Sequence, residues 1–132
     1  MKRAVIGDTG PLYAAVDPDD EHHKEAAEEL ERLSREKREV FVAYPTLLEA
    51  YTLVLFRLGR HAASRWLHDM AGAVLVNPTL EDYRKAAIRV ETLADQPITL
   101  FDATVASMAG RLDLQVWTYD HHFDLMRVKV WR

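Results

Sequence analysis

The chain has 132 residues, 48% of them hydrophobic and 29% charged, and it contains no cysteine. That length suits a single domain of about 100–150 residues, and the absent thiols exclude disulfides, thiolate metal sites and cysteine nucleophiles. Seventeen Lys and Arg against twenty-one Asp and Glu give a formal net charge of −4, without the basic excess of a simple nucleic-acid binder.

In chain order, Arg3–Gly7 carries β-branched Val5 and Ile6 and predicts a buried strand, with Gly7-Asp8-Thr9-Gly10-Pro11 as its exit turn. Leu12–Val16 reads as a short helical turn. Asp20–Lys37 predicts a helix with Ala26, Ala27, Leu30 and Leu33 as its apolar stripe. Val40–Ala43 is a second strand. Thr46–Leu58 is a helix that Gly59 breaks, His61–Met70 a further helix, and Ala73–Val76 a third strand. Thr79–Leu93 is helical, and Pro97 stops any continuation. Phe101–Leu112 is an almost wholly apolar helix, which predicts burial on several sides. Gln115–Thr118 is a strand, a helical turn follows Asp120, and Val128–Trp131 alternates like a final edge strand. No repeat or linker interrupts residues 1–132, which read as one domain. Strands alternating with helices predict a parallel sheet wrapped on both faces.

The charge excess is local. Residues 1–40 hold 11 acids and 7 bases, whereas residues 41–132 hold 10 of each. Most of the imbalance lies in Asp17–Glu31, which reads as a solvated helix with acids near its N-terminus, where the helix dipole favours them. No apolar run approaches the roughly 20 residues of a membrane span, and the start meets Asp8 too soon for a signal peptide; a cytoplasmic protein is expected.

Four carboxylates stand out by position. Asp8 follows the first strand, Glu49 lies in the first turn of the Thr46 helix, Asp102 opens the buried apolar helix, and Asp120 follows the fourth strand. In a parallel sheet, strand C-termini and helix N-termini share one edge, where ligands bind, so the four are placed to converge. Convergent carboxylates repel unless one takes up a proton or a cation neutralises them. A hard divalent ion such as Mg²⁺ or Mn²⁺ suits oxygen ligands and can activate water for phosphodiester hydrolysis. Singly, each acid has a plainer role: Thr46 with Glu49 and Thr99 with Asp102 have capping-box spacing, Asp120 can cap a short helix, and Asp8 can shape a turn.

These stretches resemble the PIN domain, and within it the VapC-type toxins of prokaryotic toxin–antitoxin pairs. Val5-Ile6-Gly7-Asp8-Thr9 is similar to the family's opening strand and acid, Pro45-Thr46-Leu47-Leu48-Glu49 to its second motif, Leu100-Phe101-Asp102-Ala103 to its third, and Thr118-Tyr119-Asp120-His121-His122-Phe123 to its fourth. Gly10 and Phe101 stand where hydroxyl-bearing residues are common in the family. The resemblance implies a three-layer α/β/α sandwich with a central, mainly parallel sheet. It implies an endoribonuclease in which Asp8, Glu49, Asp102 and Asp120 bind Mg²⁺ or Mn²⁺ and orient the attacking water. Thr9 and Thr118 would support the site, and Asp124 is a possible extra acid. Thr118 has a physical case as well, since two residues before Asp120 on a strand it points to the same face. A cognate antitoxin and a homodimer are also implied.

Six histidines are present, as the pairs His22–His23 and His121–His122 and as His61 and His68. Adjacent histidines on one element do not easily share an ion, so metal ligation by His is not expected. Arg57, Arg60 and Arg65 follow the Glu49 helix and offer a basic rim for RNA, against the plainer reading of a solvated surface. Leu12, Tyr13, Val16, Tyr51, Leu55 and Trp66 form either an apolar groove for a partner helix or ordinary core; Trp66, Trp117 and Trp131 read as core or interface. Two other functions compete: a non-catalytic PIN-like RNA- or protein-binding module, which the four intact acids oppose, and a metal-dependent phosphatase, which the lack of Asp-x-Asp after the first strand weakens.

Overall fold

The computed structural model describes residues 4–132; Arg3, the first residue of the predicted opening strand, lies outside them. Four strands, β1 (Ala4–Gly7), β2 (Glu39–Ala43), β3 (Val74–Val76) and β4 (Gln115–Trp117), form one sheet in the order β3-β2-β1-β4. All three pairings are parallel, with Ile6 opposite Phe41 on one side and Val116 on the other. Each connection therefore crosses through helices, which cover both faces.

The helices are α1 (Thr9–Ala14), α2 (His23–Arg35), α3 (Tyr44–Leu58), α4 (Arg60–Asp69), α5 (Leu80–Thr92), α6 (Leu100–Leu112) and α7 (His122–Leu125), with a 3₁₀ turn at Met70–Gly72. Strand alternation divides the core in two. Val5, Val42 and Trp117 pack on one face against Leu12 of α1, Leu33 of α2, Val54 of α3 and Trp66 of α4. Ile6, Ala43 and Val116 pack on the other against Ala86 of α5, Met108 of α6 and Phe123 of α7. The result is the three-layer α/β/α sandwich.

Several boundaries differ from the sequence reading for identifiable reasons. The Gly–Pro cluster after Asp8 is no loop: α1 begins at Thr9, because a proline in the first turn lacks only an N–H that would have no helical partner. Pro45 likewise starts α3 two residues before Thr46, which is buried inside the helix. The Thr46–Glu49 capping box is therefore absent, and Glu49 is free for other work. α2 starts at His23 rather than Asp20, because the Asp17 and Asp20 carboxylates accept from the backbone N–H of Asp19 and His22 and hold this stretch in turns. Within α2, Ala26 and Leu33 are buried, whereas Ala27 and Leu30 are exposed. The Val128–Trp131 strand reduces to a single parallel bridge, Val116 to Val130. α6 is buried continuously from Ala103 to Ala109, as its composition predicts.

The α5–α6 pair is fastened by a polar lock. Thr79 and Asp82 form a capping box at the start of α5, and Arg111 of α6 donates to both Asp82 oxygens at 2.8–3.2 Å. Burial pushes Asp82 upward, but the Arg111 and Thr79 bonds outweigh it and hold the carboxyl below its ordinary range.

Candidate active site

The neighbouring strands β1 and β4 supply the floor of the site. The Asp8 backbone N–H still donates to Trp117 at 2.9 Å, so Asp8 stands where β1 and β4 end together. Its backbone is extended and occupies the N-cap position of α1, yet its side chain makes no capping bond there. It turns instead to Thr118, whose hydroxyl donates to Asp8 Oδ2 at 2.8 Å. The same Thr118 oxygen accepts from the Asp120 backbone N–H at 3.0 Å, so one hydroxyl spans the first and last acids. β4 ends at Trp117, and a turn rather than strand alternation therefore couples Thr118 to Asp120. From α3, Glu49 reaches the same edge, where its Oε1 accepts the Thr9 hydroxyl. Asp102 sits in the first turn of α6, where its N–H donates to the Thr99 side chain at 3.1 Å; its carboxyl faces the others.

The electrostatics of these acids show their convergence. Burial pushes the Asp8 carboxyl up to about 6 despite the Thr118 bond, with Asp120 and Glu49 adding repulsion. Burial raises Asp102 to about 7, assisted by the charges of Asp8, Asp120 and Glu49. Asp8, Glu49, Asp102 and Asp120 thus feel one another as a single acidic centre. They do not close on one point: among the described residues, no three of them bring one oxygen each within 4.8 Å of one another. A cleft of about 320 Å³ is lined by Asp8, Thr9, Tyr13, His22, Arg57 and Asp120 among others, while Glu49 and Asp102 lie outside its lining.

Of the three arginines considered for a basic rim, only Arg57 lines this cleft, with its guanidinium 5.1 Å from the Tyr13 ring centroid. Arg60 and Arg65 are exposed on α4 and do not line it. Asp124 is exposed and faces Arg132 at 3.1 Å, with no part in the coupling among the four acids. The apolar-groove alternative resolves as core: Leu12, Tyr13 and Trp66 are buried, and Val16, Tyr51 and Leu55 pack against them. Trp117 and Trp131 are buried too.

One feature escaped the sequence reading. His22 stacks on Tyr119, with centroids 4.4 Å apart, and the pair forms a wall beside Asp120. Glu29 of α2 accepts from the Trp117 indole at 3.0 Å and the Tyr119 hydroxyl at 2.5 Å, which fixes that wall. These partners lie far apart in the chain, and no periodicity links them. The histidine pair lies beside Asp120: His122 Nδ1 is 2.8 Å from Asp120 Oδ1 and His121 Nδ1 is 4.0 Å from it.

Comparison with known proteins fits this geometry. A family model described as the PIN domain matches residues 5–129. The chain belongs to the PIN domain family. Solved PIN-like neighbours share the fold over almost the whole chain. VapC20 of Mycobacterium tuberculosis, described as a sarcin–ricin loop-cleaving toxin, superposes with a TM-score of 0.84 at 20% identity, covering 98% of this chain and 99% of that one. The VapBC2 complex of Rickettsia felis, bound to a promoter DNA fragment, gives 0.76 at 14% identity, with 98% and 97% covered. FitAcB of Neisseria gonorrhoeae gives 0.69 at 19% identity, with 97% and 96% covered. No curated protein matches the sequence. Among the described residues, no helix of this PIN domain is long and apolar enough to cross a membrane.

Proposed function

We propose that this PIN domain is a divalent-metal-dependent endoribonuclease, the toxin of a VapC-type toxin–antitoxin pair. The observation that carries the reading is the mutually repelling set of buried Asp8 and half-buried Glu49, Asp102 and Asp120 at the carboxyl edge of the sheet. PIN membership and the toxin neighbours support it.

The donor set fits a hard cation. Asp8, Glu49 and Asp102 offer oxygen alone, and the raised proton affinity of Asp8 and Asp102 reflects burial together with negative charge short of a counter-ion. A bound Mg²⁺ or Mn²⁺ would supply that positive charge and promote attack of water on phosphorus. The chain's own groups do the rest. Thr118 fixes the Asp8 carboxylate and Thr9 fixes Glu49, so neither must reorganise as charge develops. In the metal-free chain Asp8, pushed up to about 6, and Asp102, pushed up to about 7, are the acids that take up a proton, so cation binding at this centre would displace protons. Arg57 offers a phosphate contact that positions RNA without reading its bases. Cytoplasmic location, a cognate antitoxin and a homodimer complete the reading.

The test is RNA cleavage in Mg²⁺ or Mn²⁺ by the parent, Asp8→Asn and Asp102→Asn. Each substitution should cost about 100-fold or more. Equal rates in parent and variants would sink the mechanism.

A further inference from the structure

The oxygen-only acids account for one side of Asp120. Its other side faces two imidazoles that the nuclease reading does not use. Among the described residues, Asp120, His121 and His122 are the trio that brings one metal-ligating atom each within 4.8 Å of one another. The His122 ring is mostly buried, with 15% of its side chain exposed, and its Nδ1 has no solvent contact and no well-aligned hydrogen-bond partner. Its backbone N–H donates to the same Asp120 oxygen at 2.9 Å, which orients the carboxylate toward the imidazoles. The His121 ring lies beside that of His122, centroids 4.3 Å apart, and is 78% exposed, so it can turn without disturbing the fold.

We propose that Asp120, His121 and His122 form a second metal site, selective for a borderline transition ion such as Zn²⁺. It is distinct from the hard-ion centre and shares Asp120 with it. Two imidazoles and one carboxylate are a zinc-type donor set, and nitrogen donors favour Zn²⁺ over Mg²⁺. With bonds of about 2.0 Å, tetrahedral ligands stand about 3.3 Å apart. The observed separations of 2.8 and 4.0 Å from Asp120 Oδ1 bracket that value, and a small rotation of exposed His121 closes the longer one. Three protein ligands on a partly exposed turn leave the remaining coordination position to water, as in an open site. Because Asp120 serves both centres, filling this one withdraws a carboxylate from the acid ring. Zn²⁺ is thereby a competitor of Mg²⁺ or Mn²⁺.

The site is tested by calorimetric titration of the metal-free full chain with Zn²⁺, alongside visible absorption of bound Co²⁺. The parent should bind one equivalent, and His121→Ala and His122→Ala should each weaken it at least about tenfold and remove the Co²⁺ bands. A His61→Ala/His68→Ala double variant should bind as the parent does. His122→Ala risks the fold because its ring is packed; His121→Ala does not, and it decides the question. Parent-like zinc affinity in His121→Ala, or no zinc binding by the parent, overturns the proposal. The outcome is independent of RNA cleavage: a chain that needs both histidines for zinc but cleaves no RNA keeps this site and loses the nuclease reading.

Discussion

Asp8 shows how one residue's surroundings set its chemistry. Its neighbours hold the folded carboxyl at about 6, above the ordinary value of 3.8, so the folded chain binds more protons than the unfolded chain between those values. In metal-free protein this contribution to stability is fully present below pH ~4 and is lost as pH rises through about 6. Asp8→Asn should therefore melt at a higher temperature than the parent at pH 8, with the difference fading toward pH 4. A melting series that shows no such convergence contradicts the assigned environment. Thr118→Val keeps the side-chain shape but removes the donor that favours the charged carboxylate. The Asp8 carboxyl should then titrate above 6 in carboxyl NMR of metal-free protein. Asp102 was legible in the sequence because an acid heading an apolar helix has no packing reason to be there. Thr46 misled, because its spacing to Glu49 imitates a cap while Pro45 moves the helix start upstream.

At the scale of elements, the informative contacts are polar clasps between layers. Arg111 holds α6 to α5 through Asp82, of which only 2% of the side chain is exposed. Arg111→Ala would leave that carboxylate buried without its counter-charge, at a cost of about 3 kcal/mol in denaturant unfolding. Glu29 clasps α2 to the end of β4. Glu29→Ala should raise hydrogen exchange in α2 and around Tyr119 while the α5–α6 pair stays protected. Strands and helices were readable from periodicity, since Val5–Ile6 and the α6 apolar run declare their environments locally. The clasps were not, because Arg111 meets Asp82 and Glu29 meets Tyr119 only after the crossovers have stacked the layers. Asp17 and Asp20 mark the same limit: their composition suits the start of a helix, and their own backbone hydrogen bonds keep them in turns.

For the whole molecule, a net charge of −4 says little about what the cleft can hold. Asp20 and, through Tyr119, Glu29 border the cleft, whereas the four acids at the sheet edge are the ones whose charges act on one another. Ions that bind this centre only in the folded chain must stabilise the fold. Mg²⁺ or Mn²⁺ at 100 times its dissociation constant should add about 2.7 kcal/mol, seen as a rise in melting temperature that Asp8→Asn or Asp102→Asn abolishes. The sheet order carries a temporal consequence. β1 lies at the heart of the sheet between β2, its successor, and β4, the last strand made, and the Thr118–Asp8 bond closes a loop of 110 residues. During synthesis, when the N-terminal part of a chain emerges first, Asp8 waits for Thr118 until 110 further residues have been made. The centre that Asp8 opens is thus completed only when β4 docks.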